Sequence, residues 1–229
     1  MDTIGANLQA VKARIATAAA QCGRDPAGIQ LLAVSKTFDA GAVRAARAAG
    51  QRAFGENYLQ EAIDKIAALA EPDLIWHFIG PIQSNKTRQI AAHFDWVHSV
   101  DRLRIAERLS AARSAAQPPL QICLQVNIGD ENSKSGVAPA EAPALARALA
   151  ALPRLCLRGL MSIPPASDDP RVQRGYFSQL RALRDALVAQ GLALDTLSMG
   201  MSADLESAIA EGSTMVRVGT AIFGTRQQH

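Results

Sequence analysis

Short apolar runs rich in Val, Ile and Leu alternate along the chain with longer segments in which apolar residues recur every three or four positions. The runs are "IQLLAVSK" (29–36), "RAFGEN" (52–57), "LIWHFIG" (74–80), "WVHSVD" (96–101), "LQICLQVNI" (120–128), "RLCLRGLMSI" (154–163), "LDTLSMG" (194–200) and "MVRVGTAIFG" (215–224). Runs this short and this continuously apolar predict strands buried on both faces, as in a parallel sheet. Between them, Leu59, Ile63, Ile66 and Ala70 mark one face of a helix, as do Ile105, Leu109 and Ala112, and Tyr176, Leu180, Leu183 and Leu187. Another helix precedes the first run: Ile4, Leu8, Val11 and Ile15 share a face, Asp2 can cap its start, and Gly23 follows its last turn. Eight strand–helix units in 229 residues predict an α/β fold, a single (β/α)8 TIM barrel over residues 1–229 with an extra N-terminal helix. A doubly wound open sheet is the alternative. The proline-containing "AAQPPL" (115–120) and "SIPPASDDP" (162–170) read as connections within one domain, not as boundaries.

In such a barrel the carboxyl ends of the strands form the binding face. Those ends carry Lys36; Glu56 and Asn57; His77 and Gly80; Ser99 and Asp101; Asn127; Met161 and Ser162; Ser198, Gly200 and Ser202; and Arg217, Gly219 and Thr220. Alternation along the last run puts Met215, Arg217 and Gly219 on one face. If that face is the interior, the guanidinium needs acceptors, because an unpaired buried charge is strongly destabilising. "SMGMSADLESAIAEG" (198–212) reads as a strand end, a glycine turn, Ser202 as N-cap and a helix closed by Gly212. Beside it, Gly219 and Thr220 of "RVGTAIFG" complete what resembles a phosphate cradle at the last two strands.

A lysine in partly apolar surroundings loses some of its preference for the charged form, and a neutral amine condenses with an aldehyde. Pyridoxal 5′-phosphate carries both an aldehyde and a phosphate. On this reading Lys36 holds it as a Schiff base, the cradle holds its phosphate, and Arg217 meets the pyridine nitrogen. His77 reads as a packed strand residue, and His98, Ser99 and Asp101 are too close together on one strand for a hydrolase triad. Lys134, in the polar loop "ENSKSG" (131–136), is a candidate second anion or aldehyde site.

Composition narrows the alternatives. The net charge of +3 and pI near 9.0 suit an anionic ligand, but Lys and Arg are dispersed and aromatics are only 4%, against a nucleic-acid platform. Cys22, Cys123 and Cys156 are odd in number and form no CxxC, so neither a metal site nor a disulfide framework is expected; Cys123 and Cys156 read as small core residues. There is no GxGxxG and no P-loop. A basic-then-apolar leader is missing, and no apolar run approaches the roughly eighteen residues that span a bilayer, so a cytoplasmic protein with no membrane partner is expected.

Together "AVSKTF", "FGENYLQEA", "WHFIGPIQSNK", "HSVDR", "QVNIGDENSKSGV", "LRGLMSI" and "LSMGMSADLESAIAEGSTMVRVGTAIFG" resemble the pyridoxal phosphate homeostasis proteins, the YggS/PROSC family, from about residue 8 to Arg226. The resemblance implies a fold-type III barrel like the N-terminal domain of alanine racemase, with the cofactor on Lys36. It further implies phosphate contacts from Ser202, Gly219 and Thr220, Arg217 at the ring nitrogen and Asn57 beside the cofactor. The implied role is intracellular homeostasis of pyridoxal phosphate, held and supplied to apo pyridoxal enzymes, with indirect effects on amino-acid metabolism. No catalytic residue is assigned, and a monomer is expected. One alternative is a pyridoxal-dependent amino-acid racemase of the same fold type, which uses a second base, a tyrosine from an additional β domain of a partner subunit. The chain stops at "GTRQQH" and is expected to lack that domain. The other alternative is a Schiff-base aldolase without a cofactor.

Overall fold

The structure, a computed structural model, describes residues 3–129 and 135–225. Eight strands, β1 (Gln30–Val34), β2 (Ala53–Glu56), β3 (Ile75–Phe78), β4 (Trp96–Val100), β5 (Leu120–Gln125), β6 (Leu155–Met161), β7 (Thr196–Ser198) and β8 (Met215–Val218), pair in parallel and in chain order. The ring closes where β8 lies beside β1, with Leu31 opposite Val216 and Leu32 opposite Arg217. This is the (β/α)8 barrel, and the open-sheet alternative is set aside by the closure.

The helices are α1 (Thr3–Gln21), α2 (Ala40–Ala48), α3 (Leu59–Leu69), α4 (Thr87–His93), α5 (Leu103–Ala112), α6 (Ala142–Ala150), α7 (Pro170–Ala189), α8 (Leu205–Ala210) and α9 (Thr220–Phe223). Outward-facing strand residues such as Leu31, Phe54, Ile122, Leu197 and Val216 pack against Val43, Ala62, Leu109, Leu149 and Leu180 of the helices, forming one continuous apolar layer. α9 is a single turn, too short to cover the closing seam. The extra helix α1 does so instead, packing against α8, α9 and α2 through Leu8, Val11, Ile15, Ala18 and Ala19. Asn7 Nδ2 donates to Ile222 O at 3.0 Å, and Arg24 donates to Ile209 O and Ser213 O at 2.6 and 2.8 Å, fastening the helix to this seam.

Three local expectations change. The apolar runs extend one to six residues past the strand ends, because the chain there leaves the ladder to form the loops of the binding face. In α3 the deepest residues are Ala62, Lys65 and Leu69, whereas of the expected stripe Leu59, Ile63 and Ile66 are half-buried and Ala70, the left-handed C-cap, is exposed. Cys123 is buried and Cys156 only partly so, while Cys22 is exposed; all three are free thiols. Asp2 lies outside the described residues.

The barrel interior is unusually polar. Leu32, Ala53 and Met215, with Ile79 and Trp96 against them, make an apolar plug. Above and around it the inward side chains include His77, His98, Cys123, Ser198 and Arg217. Burial pushes the Cys123 thiol up to about 12, which keeps it protonated and unreactive.

Candidate functional site

At the carboxyl end of the barrel lies a pocket of about 280 Å³, at the small end of the range for small-molecule sites. Its lining includes Lys36, Asn57, Ser202, Arg217, Gly219 and Thr220, so the structure brings all six sequence-predicted residues to one cavity. Val34, Ile79, Ile163 and Met201 supply apolar walls. Lys134 lies outside the described residues. A larger hollow of about 390 Å³ lies outside the barrel, but Asp39, Glu61 and Asp64 outnumber its one cation, Lys65, which suits no anionic ligand.

The residues come from the ends of β1, β2, β7 and β8. Lys36 stands two residues past β1, half-buried, just before Thr37, whose φ of 69° turns the chain sharply. Asn57 directly follows β2, and Gly80 makes its position possible: a Cβ at residue 80 would stand 2.2 Å from Asn57 O. The turn after β7 requires glycine at position 200, where φ is 95° and a Cβ would come within 2.4 Å of the Ala208 side chain. That turn presents Ser202. Its carbonyl accepts from Arg14 Nη2 of α1 at 3.2 Å. Ser202 is not the N-cap: Asp204 holds that position before the six-residue α8, and its Oδ1 accepts from the Met201 amide. The helix starts two residues later than its sequence suggests, because "SADLE" offers a hydroxyl and a carboxylate in close succession. Gly219 and Thr220 open α9, whose first amides have no intrahelical acceptor.

Arg217 points into the barrel, 4% exposed. Its Nη1 donates to Ser198 Oγ at 2.8 Å and its Nη2 to Ser162 O at 2.9 Å, which supplies the acceptors a buried guanidinium needs. Burial lowers its pKa to about 10, so it remains a cation, and nearby Asp204 opposes the shift. Burial raises the Asp204 carboxyl above the usual range, with Arg217 and the Met201 amide pulling the other way.

Ser198 links Arg217 to two histidines. His98 Nδ1 lies 2.8 Å from Ser198 Oγ, and His98 Nε2 lies 2.9 Å from His77 Nδ1. Arg217 can only donate, so the hydroxyl best donates in turn to His98 Nδ1; His98 Nε2–H then donates to His77 Nδ1. This assignment leaves one buried group without a partner, His77 Nε2, where the reverse direction would also strand the Ser198 hydroxyl. His77 stacks on Trp96 with ring centres 5.4 Å apart. Burial drives His77 down to about 3 and His98 well below its ordinary value, so both are neutral beside the Arg217 charge. Ser99 Oγ donates instead to Gly80 O, in keeping with the absence of a triad.

The pocket fits a phosphate-bearing aldehyde by its chemistry. It combines one amine, one guanidinium and two hydroxyls with apolar walls. Asn57 Oδ1 is buried at the pocket with no hydrogen-bond partner among the described residues, an opening that a polar ligand fills. A Cβ at Gly219 would press on Val34 O at 3.1 Å and take up space inside the cradle. The roles of Ser162, Ser198 and His98 as the support of Arg217 went unassigned from sequence, although the inward alternation that places Arg217 also places Ser198.

Among the described residues no three His, Cys, Asp or Glu side chains form a metal site, and no helix is long and apolar enough to cross a membrane. Over residues 6–227 the chain matches the family described as alanine racemase, N-terminal domain. It is 62% identical over 226 residues to the pyridoxal phosphate homeostasis protein of Pseudomonas aeruginosa, covering 99% of this chain and 97% of that one. PipY of Synechococcus elongatus PCC7942, solved with PLP bound, superposes with a TM-score of 0.84 at 41% identity, covering 96% of this chain and 100% of PipY. The alanine racemase of Corynebacterium glutamicum shares the fold, with a TM-score of 0.73 at 18% identity, but the match covers 98% of this chain and only 61% of the racemase. The chain belongs to the alanine racemase N-terminal domain family and, within it, to the pyridoxal phosphate homeostasis proteins.

Proposed function

We propose that this pocket holds pyridoxal 5′-phosphate on Lys36 and that the protein keeps the cofactor available to apo pyridoxal enzymes in the cytoplasm, as a single-domain monomer without robust catalysis of its own. The observation that carries the reading is the convergence of Lys36, Asn57, Ser202, Arg217, Gly219 and Thr220 on one small cavity. The name of the Pseudomonas relative and the PLP bound to PipY support the choice of cofactor. When bound, the cofactor supplies an aldehyde that the Lys36 amine takes up reversibly.

The remaining residues act by binding and by charge. Ser202 and Thr220 would donate hydrogen bonds from their hydroxyls to the phosphate, and Gly219 would let the backbone approach it. Arg217, held by Ser198 and Ser162, would present its cation to the ring nitrogen and disfavour a proton there. An unprotonated ring is a weak electron sink, which suits storage over carbanion chemistry.

Two experiments test this reading. Holoprotein mixed with an apo pyridoxal enzyme is expected to restore that enzyme's activity, while incubation with D- and L-alanine and other amino acids is expected to yield little racemisation or α-deuterium exchange. Turnover at ordinary enzyme rates with no cofactor passed on would reverse the assignment in favour of a racemase. Secondly, Ser202→Ala is expected to weaken retention of pyridoxal phosphate about tenfold or more, since a charge-assisted hydrogen bond contributes roughly 1.5–3 kcal/mol. Pyridoxal, lacking the phosphate, should be held equally well by both proteins; equal losses for the two ligands would move Ser202 away from the phosphate.

A further inference from the structure

Lys65 is a lysine in the most buried stripe of α3, 5% exposed, and it lines no part of the cofactor pocket. All three of its N–H donors are used: Nζ lies 2.8 Å from Ser35 O, 2.8 Å from Glu56 Oε1 and 2.5 Å from Glu61 Oε1. Ser35 Oγ donates to the same Glu56 oxygen at 2.6 Å, and the Thr37 amide donates to Glu61 Oε1 at 2.6 Å. The Ser35 carbonyl and the Thr37 amide belong to the two peptide planes that flank Lys36. Both planes are therefore held from α3, one by Lys65 and one by Glu61.

We infer that Lys65 and Glu61 are positioning residues for Lys36: by fixing the two peptide groups on either side of it, they set the direction in which its amine enters the pocket. Two further features support this. Thr37 has φ 69°, the left-handed region that a β-branched residue avoids, and such strain persists only where surrounding contacts enforce it. Glu61 supplies the enforcing contact. In addition, buried ion pairs are often replaceable by apolar side chains without loss of stability, so packing alone does not explain a lysine and a fully buried carboxylate here. Glu56 is fully buried with Oε2 unpartnered, and burial raises its pKa against the pull of Lys65. What the network does provide is geometry at residue 36, and a displacement of about 1 Å in a reacting group slows bond formation by up to about a hundredfold.

The inference rests on Lys36 being the attachment lysine, and the test separates the two claims. Pyridoxal 5′-phosphate reports covalent attachment through its visible absorption, whereas pyridoxamine 5′-phosphate enters the same pocket but has no aldehyde. Glu61→Ala is expected to slow attachment at least about tenfold in stopped flow while leaving the affinity for pyridoxamine 5′-phosphate within about twofold by calorimetry. Glu61→Gln keeps an oxygen for the Thr37 amide and is expected to attach within about threefold of the wild-type rate. Lys65→Met should follow Glu61→Ala; if it does not fold, the two Glu61 variants decide, because Glu61 is only partly buried. Attachment by Glu61→Ala at the wild-type rate, or an equal loss for both ligands, would overturn the positioning role. Borohydride reduction and peptide mapping of the wild-type protein keep the premise distinct: a label on Lys36 with an unaltered Glu61→Ala rate sinks only the clamp, and a label elsewhere sinks the premise.

Discussion

Lys36→Ala is expected to yield a folded protein that shows no aldimine absorption band with pyridoxal 5′-phosphate and loses the cofactor on gel filtration. The side chain lines the pocket and forms no part of the apolar layer, so its removal leaves the packing of the barrel intact. What disappears is the one covalent contact. Non-covalent binding persists, because Ser202 follows β7, and Arg217 and Thr220 lie on and just after β8, so their positions do not depend on the lysine. Pyridoxamine 5′-phosphate should therefore bind the variant nearly as well as the wild type, while attachment falls to background. A variant that retained the full visible band, with the label on another lysine, would contradict the assignment.

The second large effect concerns acid stability of the apo protein. His77 and His98 are buried and neutral, with pKa values lowered by burial, His77 to about 3. In the unfolded chain both titrate near 6.5. Between these limits the unfolded state binds more protons than the folded one, so the stabilisation is complete above pH 6.5 and is lost progressively as pH falls toward 3. His77 alone is expected to remove on the order of 2 kcal/mol between pH 6.5 and 5, and His98 acts in the same direction. Glu56 and Asp204, raised by burial, act in the opposite sense from the ordinary carboxylate range upward, so a variant comparison isolates the imidazoles. His98→Gln keeps an acceptor for the Ser198 hydroxyl and a donor for His77 Nδ1. Stability measured by urea unfolding across this range should fall less steeply with pH in the variant than in the wild type. An unchanged slope would mean that His98 is protonated in the fold.

The strands were legible because each apolar run is local and bounded by turn residues; all eight appear at their expected places. The pocket residues were legible for a related reason, since in a parallel barrel every strand's carboxyl end has the same address. Legibility failed where a residue's role depends on a partner distant in sequence. Lys65 sits at a helix position whose burial follows from Glu56 and Ser35, nine and thirty residues away. Periodicity has no sign for such a partner, and a lysine reads as solvated. Ser198 and His98, one hundred residues apart, meet only because β4 and β7 face each other across the barrel interior. Ser202 was misread for a different reason: serine and aspartate both cap helices, and the choice between positions 202 and 204 is made by the left-handed Gly200, which shifts where the helix can start.

The most direct measurement is borohydride reduction of the wild-type protein loaded with pyridoxal 5′-phosphate, followed by peptide mapping. A pyridoxyl group at close to one equivalent on the peptide containing "AVSKTF", at Lys36, is the result this account predicts. A protein that binds the cofactor yet carries the label on a different lysine, or on none, would contradict it.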